Sequence, residues 1–173
     1  MGFHRVFPAM LLLTAVVAGC SSPSVPPPAP TTPSTPADAA EQRALTAYED
    51  FWTVTNSALA APKSRDWTAR LQEVATGQAL ESLRTDVENY ASLPAHTEGA
   101  VTREPVVHRL ADNRVEVVDC IDLGDSRLVS DTTGAVLDDL ANRVQRYRYR
   151  AELLTVGDGW VVERTAPALD EPC

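Results

Sequence analysis

Arg114-Val115-Glu116-Val117-Val118-Asp119-Cys120-Ile121-Asp122-Leu123 alternates between two kinds of side chain. Val115, Val117, Asp119 and Ile121 fall on one side of an extended backbone, and Glu116, Val118, Cys120 and Asp122 on the other. Alternation rich in β-branched residues predicts a strand with one face against a core. Three further segments share the period of two, at about 100–110, 144–155 and 160–165. Ala111-Asp112-Asn113 joins the first pair of strands as a turn, and Gly157-Asp158-Gly159 joins the last pair as a hairpin. A longer excursion separates the middle strands. It holds Asp131-Thr132-Thr133-Gly134 and an apolar patch of Val136, Leu137 and Leu140, which fits either a small hairpin or a helical turn.

Upstream of Pro94 the period is close to 3.6. Ala44, Ala47, Phe51, Val54 and Ala58 recur at spacings of three and four, with Leu45, Tyr48 and Trp52 widening the same face. They predict a helix from Asp38 or Ala39 to about Ala60, ended by Ala61-Pro62. Asp66 is placed to cap a short second helix carrying Trp67, Leu71 and Val74, closed by Thr76-Gly77. Leu80, Leu83, Val87 and Tyr90 mark a third helix. Helices first and antiparallel strands afterwards predict an α+β domain, with three helices packed on a curved sheet of about four to six strands. That order fits the cone-shaped nuclear-transport-factor-2-like fold.

The chain also resembles a family. Ala47-Tyr48 with Phe51-Trp52, Asp66-Trp67 ahead of Ala75-Thr76-Gly77, the run from Val117 to Asp122, Asp158-Gly159-Trp160-Val161-Val162 and Cys173 are together similar to small actinobacterial lipoproteins. Such proteins occur on host chromosomes and in temperate phages. The resemblance implies fold and location, not chemistry. A phage-borne member would act in superinfection exclusion at the cell surface.

Residues 1–19 have the parts of a lipoprotein signal peptide. Arg5 lies in a short charged region, an apolar run of about twelve residues follows, and Val17-Ala18-Gly19-Cys20 reads as a lipobox. The run is shorter than the ~20 residues of a membrane span. Cys20 is then the lipidated amino terminus, and two or three acyl chains hold a protein firmly to a membrane. Residues 20–38 form a linker with seven prolines among the eighteen residues from Ser21 to Asp38. At ~3.1 Å per residue in polyproline II it spans roughly 50 Å. Thr31, Thr32, Ser34 and Thr35 are open to O-linked sugars there, or the linker stays unmodified. The globular domain is expected over 39–173, on the extracytoplasmic face of the cell membrane.

With Cys20 acylated, Cys120 and Cys173 remain. Two cysteines in an oxidising exterior read as one disulfide, the alternative being two free thiols. No cofactor is expected, and no metal, since two cysteines without a spaced His pair fall short of four ligands. The formal net charge of −9 opposes generic nucleic-acid binding, which needs a basic patch. Phosphate-binding loops, nucleophile elbows and zinc-protease helices are absent from the sequence.

The candidate pocket comprises Tyr48, Trp52, His108, Asp119, Tyr147 and Tyr149. Asp119 shares its strand face with three apolar residues, so it points into the cone. There, with a raised pKa, it serves as a general base; otherwise it pairs with an arginine or sits where the strand leaves the core. His108 follows Val106 and Leu110 and is expected to face inward, where His and Asp would make an acid–base pair. The other reading of His108 is a hydrogen-bonded core residue. Tyr147 and Tyr149 share one face of their strand. Arg146, Arg148 and Arg150 share the other, as an anion-binding stripe or as partners of nearby acids. His96 carries no signal.

The function expected is lipid-anchored binding at the envelope, of an envelope or phage protein or of a small apolar ligand. The alternative is a small cone-fold isomerase or dehydratase using Asp119 and His108. It requires both side chains in one open cavity.

Overall fold

The computed structural model describes residues 35–173. The expected signal peptide, Cys20 and most of the expected proline-rich linker lie outside these residues. Helix α1 (Pro36–Ala60) starts two to three residues before the expected position. The Thr35 side chain accepts from the Asp38 N–H and the Asp38 carboxylate accepts from the Thr35 N–H, while Pro36 occupies the first turn. Both are helix-start devices, so Pro36, the last proline of the expected linker, belongs to the helix. Ala44, Tyr48, Phe51, Thr55 and Ala58 form its buried stripe.

Helix α2 (Thr68–Val74) begins later than an Asp66 cap requires. Trp67 takes the cap position, and the Asp66 carboxylate instead accepts from the Thr68 N–H at 2.8 Å. Helix α3 (Gly77–Ser92) follows. Gly77 has φ +51, and a Cβ there would stand 3.2 Å from the Glu163 carbonyl oxygen, so glycine lets the helix start against the sheet.

The strands are β1 (Ala95–Glu98), β2 (Val106–Ala111), β3 (Arg114–Asp122), β4 (Arg127–Ser130), β5 (Arg146–Val156) and β6 (Gly159–Ala168). The main sheet is antiparallel with order β2-β3-β5-β6, and β1 pairs with β4 in a separate ribbon. The first strand predicted, 100–110, shrinks to β2. Pro105 offers no N–H, and upstream of it only Thr102 bridges to Asp122. β1 and β4 were not expected, because Ala-His-Thr-Glu and Arg-Leu-Val-Ser are too short to show a period. Of the two readings of the excursion, the small hairpin is the one formed. Val129 bridges to Val136 around a turn containing Gly134 at φ +69.

Strand β3 lies between two partners, and its burial alternates as expected, with Val115, Val117, Asp119 and Ile121 inside. Tyr147, Tyr149, Ala151 and Leu153 of β5 stand beside them. α1 packs across this face, and the common core runs from Tyr48 and Phe51 through Leu71 and Leu83 to Val162. On the opposite face Cys120 is bonded to Cys173, which fastens the segment after β6 over the outside of the sheet.

Candidate binding site

The interior of the cone is filled with side chains. Trp52 lies against Tyr149 with ring centroids 5.3 Å apart, and Tyr48 and Phe51 complete the aromatic cluster. Asp119 is only 2% exposed. The Tyr48 hydroxyl donates to its Oδ2 at 2.8 Å, and the Glu104 N–H donates to its Oδ1 at 2.6 Å. Burial pushes the carboxyl up from its ordinary value, opposed by the hydrogen bonds from Tyr48 and Glu104 and by the Arg103 charge. Both oxygens are engaged, so the geometry favours a structural role for Asp119, with Tyr48 and the Glu104 N–H as hydrogen-bond partners in place of the expected arginine. Burial and the adjoining carboxylate also push the Tyr48 hydroxyl upward, so it stays protonated as a donor.

His108 overturns the expectation made for it. Its register partner is Glu116, on the outer side of β3, and it is exposed. The neighbours that suggested an inner face, Val106 and Leu110, are themselves 55% and 54% exposed. β2 is an edge strand, and Val107 is the residue paired with buried Val117. With two valines in succession the alternation has two possible phases, and pairing with β3 selects the one that sets Val107 against Val117. The acid–base pair of His108 with Asp119 does not form. The remaining five pocket residues, Tyr48, Trp52, Asp119, Tyr147 and Tyr149, are all buried on the inner side.

The arginine stripe of β5 is absorbed by acids. Glu171 receives both Arg150 Nη atoms, at 3.1 and 2.7 Å, and lies 3.5 Å from Arg148, while Arg146 stands between Glu104 and Asp122. This matches the second reading of the stripe.

An open space remains beside the filled interior. A half-open cavity of about 510 Å³ lies between the carboxy-terminal half of α1, Tyr90 of α3, the β1–β4 ribbon and the start of β5. That volume is within the ordinary range of ligand pockets. Trp52 and Tyr147 reach it from the core, and Leu123, Leu128 and Val101 add apolar wall. Arg143 holds the loop in place, donating to the carbonyls of Ser126 and Leu123 and to Asp138. Sequence reasoning found Trp52 and Tyr147 but missed the rest, which arrive from five separate segments with no shared spacing.

His96, which carried no signal in the sequence, clasps the ribbon. Its Nδ1 lies 2.6 Å from Asp131 and its Nε2 3.3 Å from Glu98. The hydrogen bond with Asp131, then that with Glu98, raises its pKa above the ordinary 6.5. A raised folded-state value means that the clasp contributes fully below pH 6.5 and is lost as pH rises through the folded value. His96→Gln is therefore expected to lower the thermal midpoint at pH 5.5 and to leave it unchanged at alkaline pH. Melting curves across pH check this, and a deficit constant with pH contradicts it.

Three helices followed by a curved antiparallel sheet, with α1 laid into its concave face, define the class: an α+β cone of the nuclear-transport-factor-2-like type. Among solved structures, the intermembrane space region of the chloroplast protein ARC6 is similar, with a TM-score of 0.57 and 19% identity over 78% of this chain and 98% of that one. LinA (TM-score 0.47, 12% identity, 76% of this chain and 89% of that one) is more distant. So is a putative scytalone dehydratase from Novosphingobium aromaticivorans (TM-score 0.46, 10% identity, 71% and 81%). No protein-family model and no curated protein matches the chain. At 19% identity the first of these structures speaks for the fold alone. Among the described residues no helix is long and apolar enough to cross a membrane, and no cluster of three or more His, Cys, Asp or Glu could hold a metal.

Proposed function

We propose that this chain is a lipid-anchored binding module of the cell envelope. Val17-Ala18-Gly19-Cys20 supports the anchor, and the proline-rich segment serves as its stalk. The observation that supports binding over catalysis is the separation of space from chemistry. The cavity of about 510 Å³ lies beside the filled interior, whereas Asp119 is sealed within it by Tyr48 and Glu104. A small molecule with apolar surface enters the cavity and packs on Tyr147 and Trp52.

The test uses the full-length protein in detergent and a variant, Ser57→Trp, at an exposed helix position that lines the cavity. A small-molecule extract of cell envelopes is expected to raise the melting temperature of the wild type and not of Ser57→Trp. Equal response of the two proteins, or none in either, refutes the cavity as a binding site. The narrower role of excluding incoming phages rests on the resemblance described above. It predicts that cells expressing the intact protein resist plating and that cells expressing Cys20→Ala do not.

A further inference from the structure

The walls of the cavity carry more chemistry than an apolar ligand uses. One of their two arginines is already engaged. Both terminal nitrogens of the Arg143 guanidinium donate within the protein: Nη1 to the Ser126 carbonyl at 2.9 Å and to Asp138 at 3.1 Å, Nη2 to the Leu123 carbonyl at 2.8 Å. Asp138 also accepts from the Leu128 N–H at 2.6 Å. An anionic ligand would find this arginine engaged, and the Asp138 carboxylate next to it.

Arg127 also lines the cavity, exposed and without an ion pair among the described residues, and the other free groups are neutral. Among the described residues the Asn56 amide and the hydroxyls of Thr97, Ser126, Tyr90 and Tyr147 line the cavity without a hydrogen-bond partner in the protein. Each of these groups both donates and accepts. A wholly apolar occupant would strip them of water and return nothing, at roughly 1–3 kcal/mol for each group left unpaired. A ligand that matches them carries several neutral groups that donate and accept, arranged around a body with apolar faces that pack on aromatic rings. A pyranose ring has that composition, with hydroxyls at its rim and C–H groups on its faces.

We infer that the cavity is a saccharide site, which takes one or two sugar rings with a C–H face against Tyr147 and the hydroxyls on Asn56, Thr97 and Ser126. This rests on the cavity being a binding site at all, and it names the class of ligand. Bound rings at the end of a stalk would let an anchored protein hold surface glycans.

The experiment is an array of bacterial and plant oligosaccharides probed with the full-length protein in detergent. The oligosaccharide retained best is then titrated while tryptophan fluorescence is followed. The expected result is saturable binding that Ser57→Trp abolishes and that Asn56→Leu weakens by about tenfold, the factor given by one lost hydrogen bond of about 1.4 kcal/mol. Sodium dodecanoate and an uncharged tripeptide are titrated in parallel. No glycan retained, binding of either control in place of sugars, or an Asn56→Leu affinity equal to wild type overturns the saccharide assignment. If the envelope extract still stabilises the wild type and not Ser57→Trp, the cavity stands and only its ligand class falls. Failure of both extract and glycans removes the two together.

Discussion

Replacing Cys173 by serine is expected to cost about 4 kcal/mol of stability, the chain-entropy value for a bridge between residues 53 apart. The reason lies mostly in the unfolded chain, which the Cys120–Cys173 bond keeps from exploring conformations in which β3 and the last residues are far apart. In the folded protein the same segment has other attachments. The Arg148 N–H donates to the Glu171 carbonyl at 2.8 Å, and Arg150 grips the Glu171 carboxylate through both Nη atoms. The native fold is therefore expected to survive in Cys173→Ser, with the loss appearing in urea denaturation. Reductant should lower the wild type to the level of the variant and leave the variant unchanged. A difference below 1 kcal/mol, or an intact mass that does not rise by about two daltons on reduction, contradicts the account.

Asp119→Ala is the second large effect, expected at about 3 kcal/mol. Alanine removes two hydrogen bonds and leaves the Tyr48 hydroxyl and the Glu104 N–H without their acceptor, where each unpaired group costs roughly 1–3 kcal/mol. Asp119→Asn should be far milder. Its carbonyl can still accept from Glu104, its amide can donate to the Tyr48 oxygen, and it carries no charge to be desolvated. The pH dependence follows from the raised carboxyl value. Between 3.8 and that value the folded chain holds a proton that the unfolded chain releases, so the contribution of Asp119 is full below 3.8 and falls as pH rises. Asp119→Asn should flatten this part of the stability profile. Denaturation of both variants between pH 3.5 and 7 provides the check. Equal losses in the alanine and asparagine variants would sink the structural reading of Asp119.

Much of this architecture was legible because local periods report burial. The alternation through Val115, Val117, Asp119 and Ile121 marked the inner face of β3, and Tyr147 and Tyr149 marked that of β5, since successive side chains of a strand must point to opposite sides. The three helices followed from apolar spacing, and the Cys120–Cys173 pair from the count of cysteines left after Cys20. Even the pairing of the β5 arginines with acids followed from composition.

The periodic signal failed where no period existed or where two phases competed. β1 and β4 are four residues each. Val106 and Val107 both fit the inner face of β2, and only its pairing with β3 decided that His108 points outward.

By itself, the amino-acid sequence determined the element order, the α+β class, which faces are apolar and the identity of the disulfide partners. Each of these depends on residues close in the chain or on simple counting. The tertiary structure alone decided that Tyr48 and Glu104 seal Asp119, that His96 clasps a ribbon, and that Asn56, Thr97, Ser126 and Tyr147 surround one open space. Those relations join residues up to 91 positions apart, and no local pattern encodes which of them will meet. Hydrogen-bond partners and cavities arise only when separate elements pack, because a cavity is the volume that their side chains leave unfilled.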